Sequence, residues 1–417
     1  MSSIPAADRE LLRDLGRRKA ELARLPIQAE RFELWRRLNR LQSVRPMVNI
    51  QQVPWHEMNV DDELTCRCTD PFLRGVEWGL RAELYQWAHL PGDMIVEPVI
   101  YVGLEHGPQS IYADYGIQEK PTRVEGAQDV IFEPVIRSEK DVDQLKVPEV
   151  WVNREETARK RQLLSEIFAG ILEVRQRGLV HFWHAPWDMM IHWYGAQQLF
   201  LDMLDRPELV HYLLRKFTDA ILAVLKRQQE LGILDVGNGN YGRGSGGLAV
   251  TDELPDETCR PKRVTPKHQW GCSTGQIFSE VSPAMHEEFC LRYELEWLKK
   301  FKLSYYGCCE PLHHKMGILR AIPNLRAVSM SPKADVARGA RELGDRYVFS
   351  FKPNPAMVAW DDWRPAEFEA YLRDALEKTR GCHVEIVFKD ITTVRRDPRR
   401  LWDWAAIASR LADEFAR

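Results

Sequence analysis

The sequence predicts an α/β protein: a closed (β/α)8 barrel of the TIM type over residues 46–417, preceded by an N-terminal helical extension over residues 1–45. Three observations predict it. From Arg45 onward, short apolar runs alternate with long amphipathic segments, and no break in composition interrupts them. Eight of these runs read as strands, the number that closes a parallel barrel. The residues that follow the runs are rich in His, Cys, Glu, Lys and Asp, and strand C-terminal ends are where such a barrel carries its chemistry.

In chain order, Leu11, Leu12, Leu15, Leu22, Leu25, Phe32, Leu34 and Leu38 recur at helical spacing and predict the extension, with a solvated arginine-rich face. The expected strands are Met47–Val53, Met94–Val102, Leu179–Trp183, Ile233–Val236, Leu303–Tyr306, Leu325–Ser329, Tyr347–Phe351 and His383–Phe388. Between them, Asp205 is placed to cap a helix starting near Pro207. Ser282–Lys300 reads as helix, and so does Ala334–Leu343, closed by Gly344. The Gly-rich stretch 237–247 reads as a flexible lid over the barrel mouth. It has neither a Gly-Lys-Ser/Thr motif nor a helix directly after it, so it is no phosphate cradle.

Composition excludes several function classes. Across 417 residues, 61 acidic and 58 basic side chains leave a net charge of −3, so no global field attracts nucleic acid or an anionic membrane. No apolar run is long enough to span a bilayer, and Asp8, Arg9 and Glu10 interrupt any signal-peptide core. A cytoplasmic protein acting on a small molecule is expected. The eight cysteines, two of them adjacent at 308 and 309, do not form a secreted disulfide framework and are expected as thiols.

The most informative stretch is Leu303–Leu312, where an apolar run breaks at Gly307 and presents Cys308, Cys309 and Glu310. Soft thiolates suit zinc or a methyl-bearing electrophile; Glu310 could be a hard ligand, an acid or a base. As small apolar side chains, the two cysteines could equally fill a core. The other strand ends offer Gln51, Trp55 and His56, then Glu97, then Trp183, His184 and Trp187, then Asn240, Lys352, Lys389 and Asp390. Lys389–Asp390 reads either as a catalytic pair that orients a substrate or moves a proton, or as an ion pair closing the barrel. Trp183 and Trp187 could wall a pocket for a flat or methylated ligand.

These residues carry a resemblance. His184–Ala–Pro–Trp187, Asp202–Met–Leu–Asp–Arg–Pro–Glu208 and Lys352–Pro–Asn–Pro–Ala356 are similar to markers of the uroporphyrinogen decarboxylase superfamily, which includes corrinoid-linked methyltransferases. The likeness covers most of residues 46–417 and implies a (β/α)8 barrel with its site at the strand C-termini. The decarboxylases hold tetrapyrrole carboxylates with an Arg-Gln-Ala-Gly-Arg segment after strand one; here Ile50–His56 contains no arginine, and Glu97 stands where they have aspartate. Porphyrinogen decarboxylation is therefore disfavoured. The methyltransferases bind zinc through His-x-Cys after strand five and a Cys after strand eight. Cys308 matches the first Cys, but the other two positions are Tyr306 and Lys389. Either Cys308, Cys309 and Glu310, with a histidine such as His184, hold a metal differently, or none binds.

The function expected from this resemblance is one-carbon transfer: demethylation of a small organic donor towards a corrinoid carried by a partner protein. Glu310 would donate the proton, Asp390 beside Lys389 would stay ionised and position the substrate, and Trp183 and Trp187 would enclose it. The alternatives are a carboxy-lyase for a non-porphyrin acid gripped by Lys352 or Lys389, and a non-catalytic barrel that binds a tetrapyrrole or corrinoid. A homodimer is compatible with any of them.

Overall fold

The computed structural model describes residues 5–123, 130–260 and 263–416. Its main sheet is parallel and six-stranded. We number the strands β1 (Met47–Ile50), β2 (Val99–Gly103), β3 (Glu173–Arg177), β4 (Trp270–Ser273), β5 (Leu303–Tyr306), β6 (Leu325–Met330), β7 (Val348–Phe351) and β8 (His383–Phe388). The sheet order is β1-β8-β7-β6-β5-β4, while β2 and β3 form a separate parallel pair. Helices cover the sheet, and β1, β4, β5, β7 and β8 are buried at every residue, including the polar Asn49, Ser304, Ser350 and Glu385.

Hydrogen bonding does not run round the closed eight-stranded ring that the sequence predicted. Between β1 and β4 the gap is occupied by two segments without a regular ladder. Asp93 donates its N–H to Val48 O (2.8 Å) and accepts the Val48 N–H (2.7 Å), and Thr274 N–H donates to His184 O (3.2 Å). The sheet is nonetheless strongly curled. The ends of β8 and β5 lie three strand spacings apart, about 14 Å in a flat sheet, yet Lys389 Nζ reaches Cys308 Sγ at 2.9 Å.

Several sequence expectations need correction. Ile233–Val236 and Leu179–Trp183 contribute only an isolated bridge, Leu179 to Leu234, and the first half of Met94–Val102 is not strand. The strand next to β5 is instead β4, whose Trp–Gly–Cys–Ser run has too little apolar periodicity to be recognised. Asp205 does not cap the helix Pro207–Glu230; it is the last residue of Ala196–Asp205, and the nearby Asp202 carboxylate instead accepts from Tyr194 OH (2.6 Å) and Arg206 Nε (3.0 Å). By contrast, Gly344 does close Val336–Leu343, in the positive-φ conformation that favours glycine. No helix among the described residues is long and apolar enough to cross a membrane.

The N-terminal helices Ala6–Ala23 and Ile27–Asn39 pack onto the rest of the chain. Leu12, Leu15 and Ala20 share a cluster with Leu73, Leu80, Ile167 and Phe168. Trp35 and Leu38 join Met47, Tyr305, Ala327 and Val348. The Gly-rich stretch is not a lid. It enters the sheet interior, where Arg243 pairs with Glu385 at 2.7 Å, both side chains being 0% exposed, and Gly247 N–H donates to Glu385 Oε1 (3.1 Å). Glycine is required there: a Cβ on Gly246 would lie 2.4 Å from the Tyr305 ring, and one on Gly247 2.4 Å from Trp35.

Candidate active site at the strand ends

The rim is built where β5 stops. Gly307 turns the chain at φ 100°, with Leu312 and Ser329 packed where a Cβ would be. Ser329 Oγ then donates to Cys308 O (2.7 Å), and Cys308 N–H donates to Glu310 Oε2 (2.8 Å), which fixes the cysteine. From the end of β8, Lys389 Nζ donates to Cys308 Sγ and lies 3.4 Å from Asp390 Oδ1. Cys309 Sγ is 3.4 Å from Cys308 Sγ, to which its one S–H donates, and 3.5 Å from Asp390 Oδ2. From the end of β7, Lys352 Nζ donates to Tyr305 OH (2.9 Å) and to Ser329 Oγ.

The charges at the rim set its chemistry. Hydrogen bonding from Cys309 is the largest influence on Cys308. With the Lys389 and Lys352 charges, and against burial, it lowers the thiol to about 6. Cys309 is held well above its ordinary value, first by that hydrogen bond and then by burial. Burial works against the Lys389 ammonium, but the Cys308 thiolate more than offsets it and raises its pKa. The pair therefore carries one thiolate, on Cys308, facing one ammonium.

A second titratable group meets this rim from the helix Pro186–Tyr194. Burial, together with the negative charges at Cys308 and Glu310, pushes Asp188 up to about 7, opposed by Gln276 Nε2, which donates at 2.5 Å. Sequence reasoning passed over Asp188, although it stands directly after Ala185–Pro–Trp187. It also passed over Thr274 and Gln276, because the strand that delivers them was not recognised.

The predicted site residues divide into three groups. Cys308, Cys309, Glu310, Lys352, Lys389 and Asp390 meet at the rim. Gln51, Trp55 and His56 join Asp390 along a cleft of about 950 Å³ that runs over the ends of β1 and β8. The remaining residues lie elsewhere. Glu97 accepts from Tyr101 OH (3.1 Å) beside β2, and Asn240 Nδ2 donates to Ile95 O (2.7 Å). Trp183 packs against the cluster around Trp35. Trp187 is fully buried, edge-on to Phe278 with ring centroids 4.4 Å apart, so it is core rather than pocket wall. His184 stacks on Trp297 at 4.5 Å and hydrogen-bonds Ser273 Oγ (2.8 Å) through Nδ1; burial lowers it to about 3. Glu310 is fully buried, and its oxygens accept from Cys308 N–H and from Thr274 Oγ1 (2.9 Å), so it braces the loop instead of facing the cleft.

A metal at the strand end does not fit these residues. Lys389, in the position of the expected third ligand, already sets a cation on Cys308 Sγ, and Tyr306, in the position of the histidine, donates to Glu294 Oε2 (2.6 Å). The group of three metal-ligand side chains found among the described residues is His286, Cys290 and Glu294, all buried, with ligand atoms within 4.8 Å of one another. A π-helical turn, Glu287–Leu291, lies between the first and last of these residues. Gly275 leaves them room, because a Cβ there would sit 2.6 Å from Cys290 Sγ and 3.4 Å from His286 Nε2. They could hold a metal such as zinc. Burial favours the neutral form of all three, lowering His286 to about 3, raising Glu294 to about 7 and raising Cys290. The His-x3-Cys-x3-Glu spacing was visible in the sequence as one helix face.

Residues 121–234 match the family model for uroporphyrinogen decarboxylase (URO-D). No curated protein matches the chain. Among solved structures, a methyltransferase from Methanosarcina mazei is similar, with a TM-score of 0.51 and 11% sequence identity over 91% of this chain and 97% of the other. At that identity the likeness is one of fold. The match to the URO-D family model thus covers residues 121–234, and the likeness to the solved structure is one of fold over most of the chain.

Proposed function

We propose that this protein is a one-carbon transferase that removes a methyl group from a small organic donor and passes it to a corrinoid carried by a partner protein in the cytoplasm. The observation that carries the reading is Asp188, a carboxyl raised to about 7 on the same rim as the Cys308 thiolate. Demethylating an ether or amine requires a proton on the departing heteroatom, and an acid titrating near neutrality supplies one at working pH. Asp188 takes this role in place of Glu310, whose oxygens are both engaged inside the protein. Asp390, on the cleft with Gln51, Trp55 and His56, positions the donor. The curl of the six strands and the two segments filling the gap support a (β/α)8 barrel, and a structural neighbour described as a methyltransferase supports the chemistry. Zinc held by His286, Cys290 and Glu294 would stabilise the buried interior and touch no donor.

The test is to incubate the purified protein with cob(I)alamin and a panel of methyl ethers, methylamines and methyl thioethers, following cobalt methylation by absorbance. One donor class should react, and Asp188→Asn should slow it by about 10²–10⁴-fold. Carbon dioxide release from a non-porphyrin acid, with no donor methylating the corrinoid, would replace this reading with the carboxy-lyase one.

A further inference from the structure

The geometry points to Cys308 as a covalent nucleophile, its sulfur held by the Lys389 ammonium where a metal would otherwise hold it, and to a small alkyl electrophile as what it attacks. Three features of the rim carry this. Lys389 Nζ sits 2.9 Å from Cys308 Sγ, a contact that favours thiolate and leaves no place for a second cation. The sulfur's other neighbour is Cys309 Sγ at 3.4 Å, a donor that further stabilises charge on Cys308. Cys308 is 3% exposed, which excludes a bulky electrophile. The titratable and charged groups around this sulfur are Cys309 and Glu310 from its own loop, Lys352 from the end of β7, Lys389 and Asp390 from the end of β8, Asp188 from the helix Pro186–Tyr194, Cys272 of β4, and Tyr112.

Under the proposed function the electrophile is the methyl donor, and the inference rests on that reading for the donor's identity alone. The thiolate attacks the methyl carbon as a new S–C bond forms. The carbon–heteroatom bond breaks, its electron pair goes to the heteroatom, and the Asp188 carboxyl gives that atom its proton and becomes carboxylate. The methyl-accepting partner then displaces the thiolate, and the S–C electron pair returns to sulfur. Charge and atoms balance with no oxidant.

The experiment needs no natural donor. Full-length protein is treated with limiting iodoacetamide across a pH series, and with iodomethane, and the eight cysteines are mapped by peptide mass spectrometry. Cys308 should be labelled first, half-maximally near pH 6, and iodomethane should add one methyl group to its peptide. Lys389→Met should move the midpoint up and slow labelling at neutral pH by about tenfold, the loss of thiolate that follows from a thiol returned to its ordinary range. Lys389→Arg should restore it, and Cys309→Ala provides a second test should the lysine variant fail to fold. First labelling at another thiol, or an unmoved midpoint in Lys389→Met, overturns the inference. Cys308→Ser methylating a corrinoid at the parent rate sinks this inference alone. Cys308 labelling as described, with no donor ever methylating a corrinoid, sinks only the demethylation reading.

Discussion

Replacing Glu385 with alanine should destabilise the protein severely without touching the rim. Arg243 and Glu385 are both fully buried inside the curled sheet, joined by two hydrogen bonds of 2.7 and 3.2 Å. Glu385 also accepts the Gly247 N–H, and the guanidinium lies 5.2 Å from the Trp270 ring centroid. Burial lowers the Arg243 pKa, opposed chiefly by the Glu385 charge, so removing the carboxylate strands a charge in the interior. Breaking a buried pair from one side costs about 3–5 kcal/mol, out of a total stability of about 5–15 kcal/mol. Urea unfolding followed by tryptophan fluorescence should show the midpoint lowered by roughly a third or more, at unchanged slope. Replacing both partners together, as Arg243→Met with Glu385→Met, should recover much of the loss, because no unpaired charge remains. An alanine variant within about 1 kcal/mol of the parent would refute the reasoning and place water or another counter-ion in the interior.

Three further outcomes are expected. Asp188 is raised from its ordinary value to about 7, so its protonated form is favoured by folding; the stability it contributes at low pH is lost between about 4 and 7, and donor demethylation should fall as pH rises through 7. In Asp188→Asn the rate profile should flatten and the melting-temperature drop should shrink to the part that Glu294, raised likewise to about 7, still contributes; a drop from pH 5 to pH 8 by the parent's amount, or an unchanged rate profile, would disprove the assignment. Zinc added to the protein should bind at His286, Cys290 and Glu294, so elemental analysis should show occupancy lost in Cys290→Ser and kept in Cys308→Ser; the reverse pattern would move the metal to the rim. Gly246→Ala drives a methyl group to 2.4 Å from the Tyr305 ring and 2.8 Å from Glu385 Oε1, and should cost about 1–3 kcal/mol or more, whereas full stability would mean that the buried segment is loosely packed.

The sequence by itself determined the strands whose apolar runs are long and cleanly bounded, and therefore the residues standing at their ends. Leu303–Tyr306 and His383–Phe388 are strands at the expected bounds, their few polar side chains (Ser304, His383, Glu385) being buried among apolar and aromatic ones. Cys308, Lys389 and Asp390 follow from them, and Lys352 follows from Val348–Phe351. Local pattern could not recover β4, with only Trp270 and Cys272 as large apolar residues, nor the interior course of residues 237–247, since a glycine run signals freedom of the backbone and not the close approach that Trp35 and Tyr305 impose on it. Only the tertiary structure decided which rim groups touch. Lys389 meets Cys308 because the sheet curls across three strands, and Asp188 meets the Cys308 charge because a helix from another part of the chain closes on it. Such pairings depend on register and curvature, which are properties of the assembled sheet and have no one-dimensional signal.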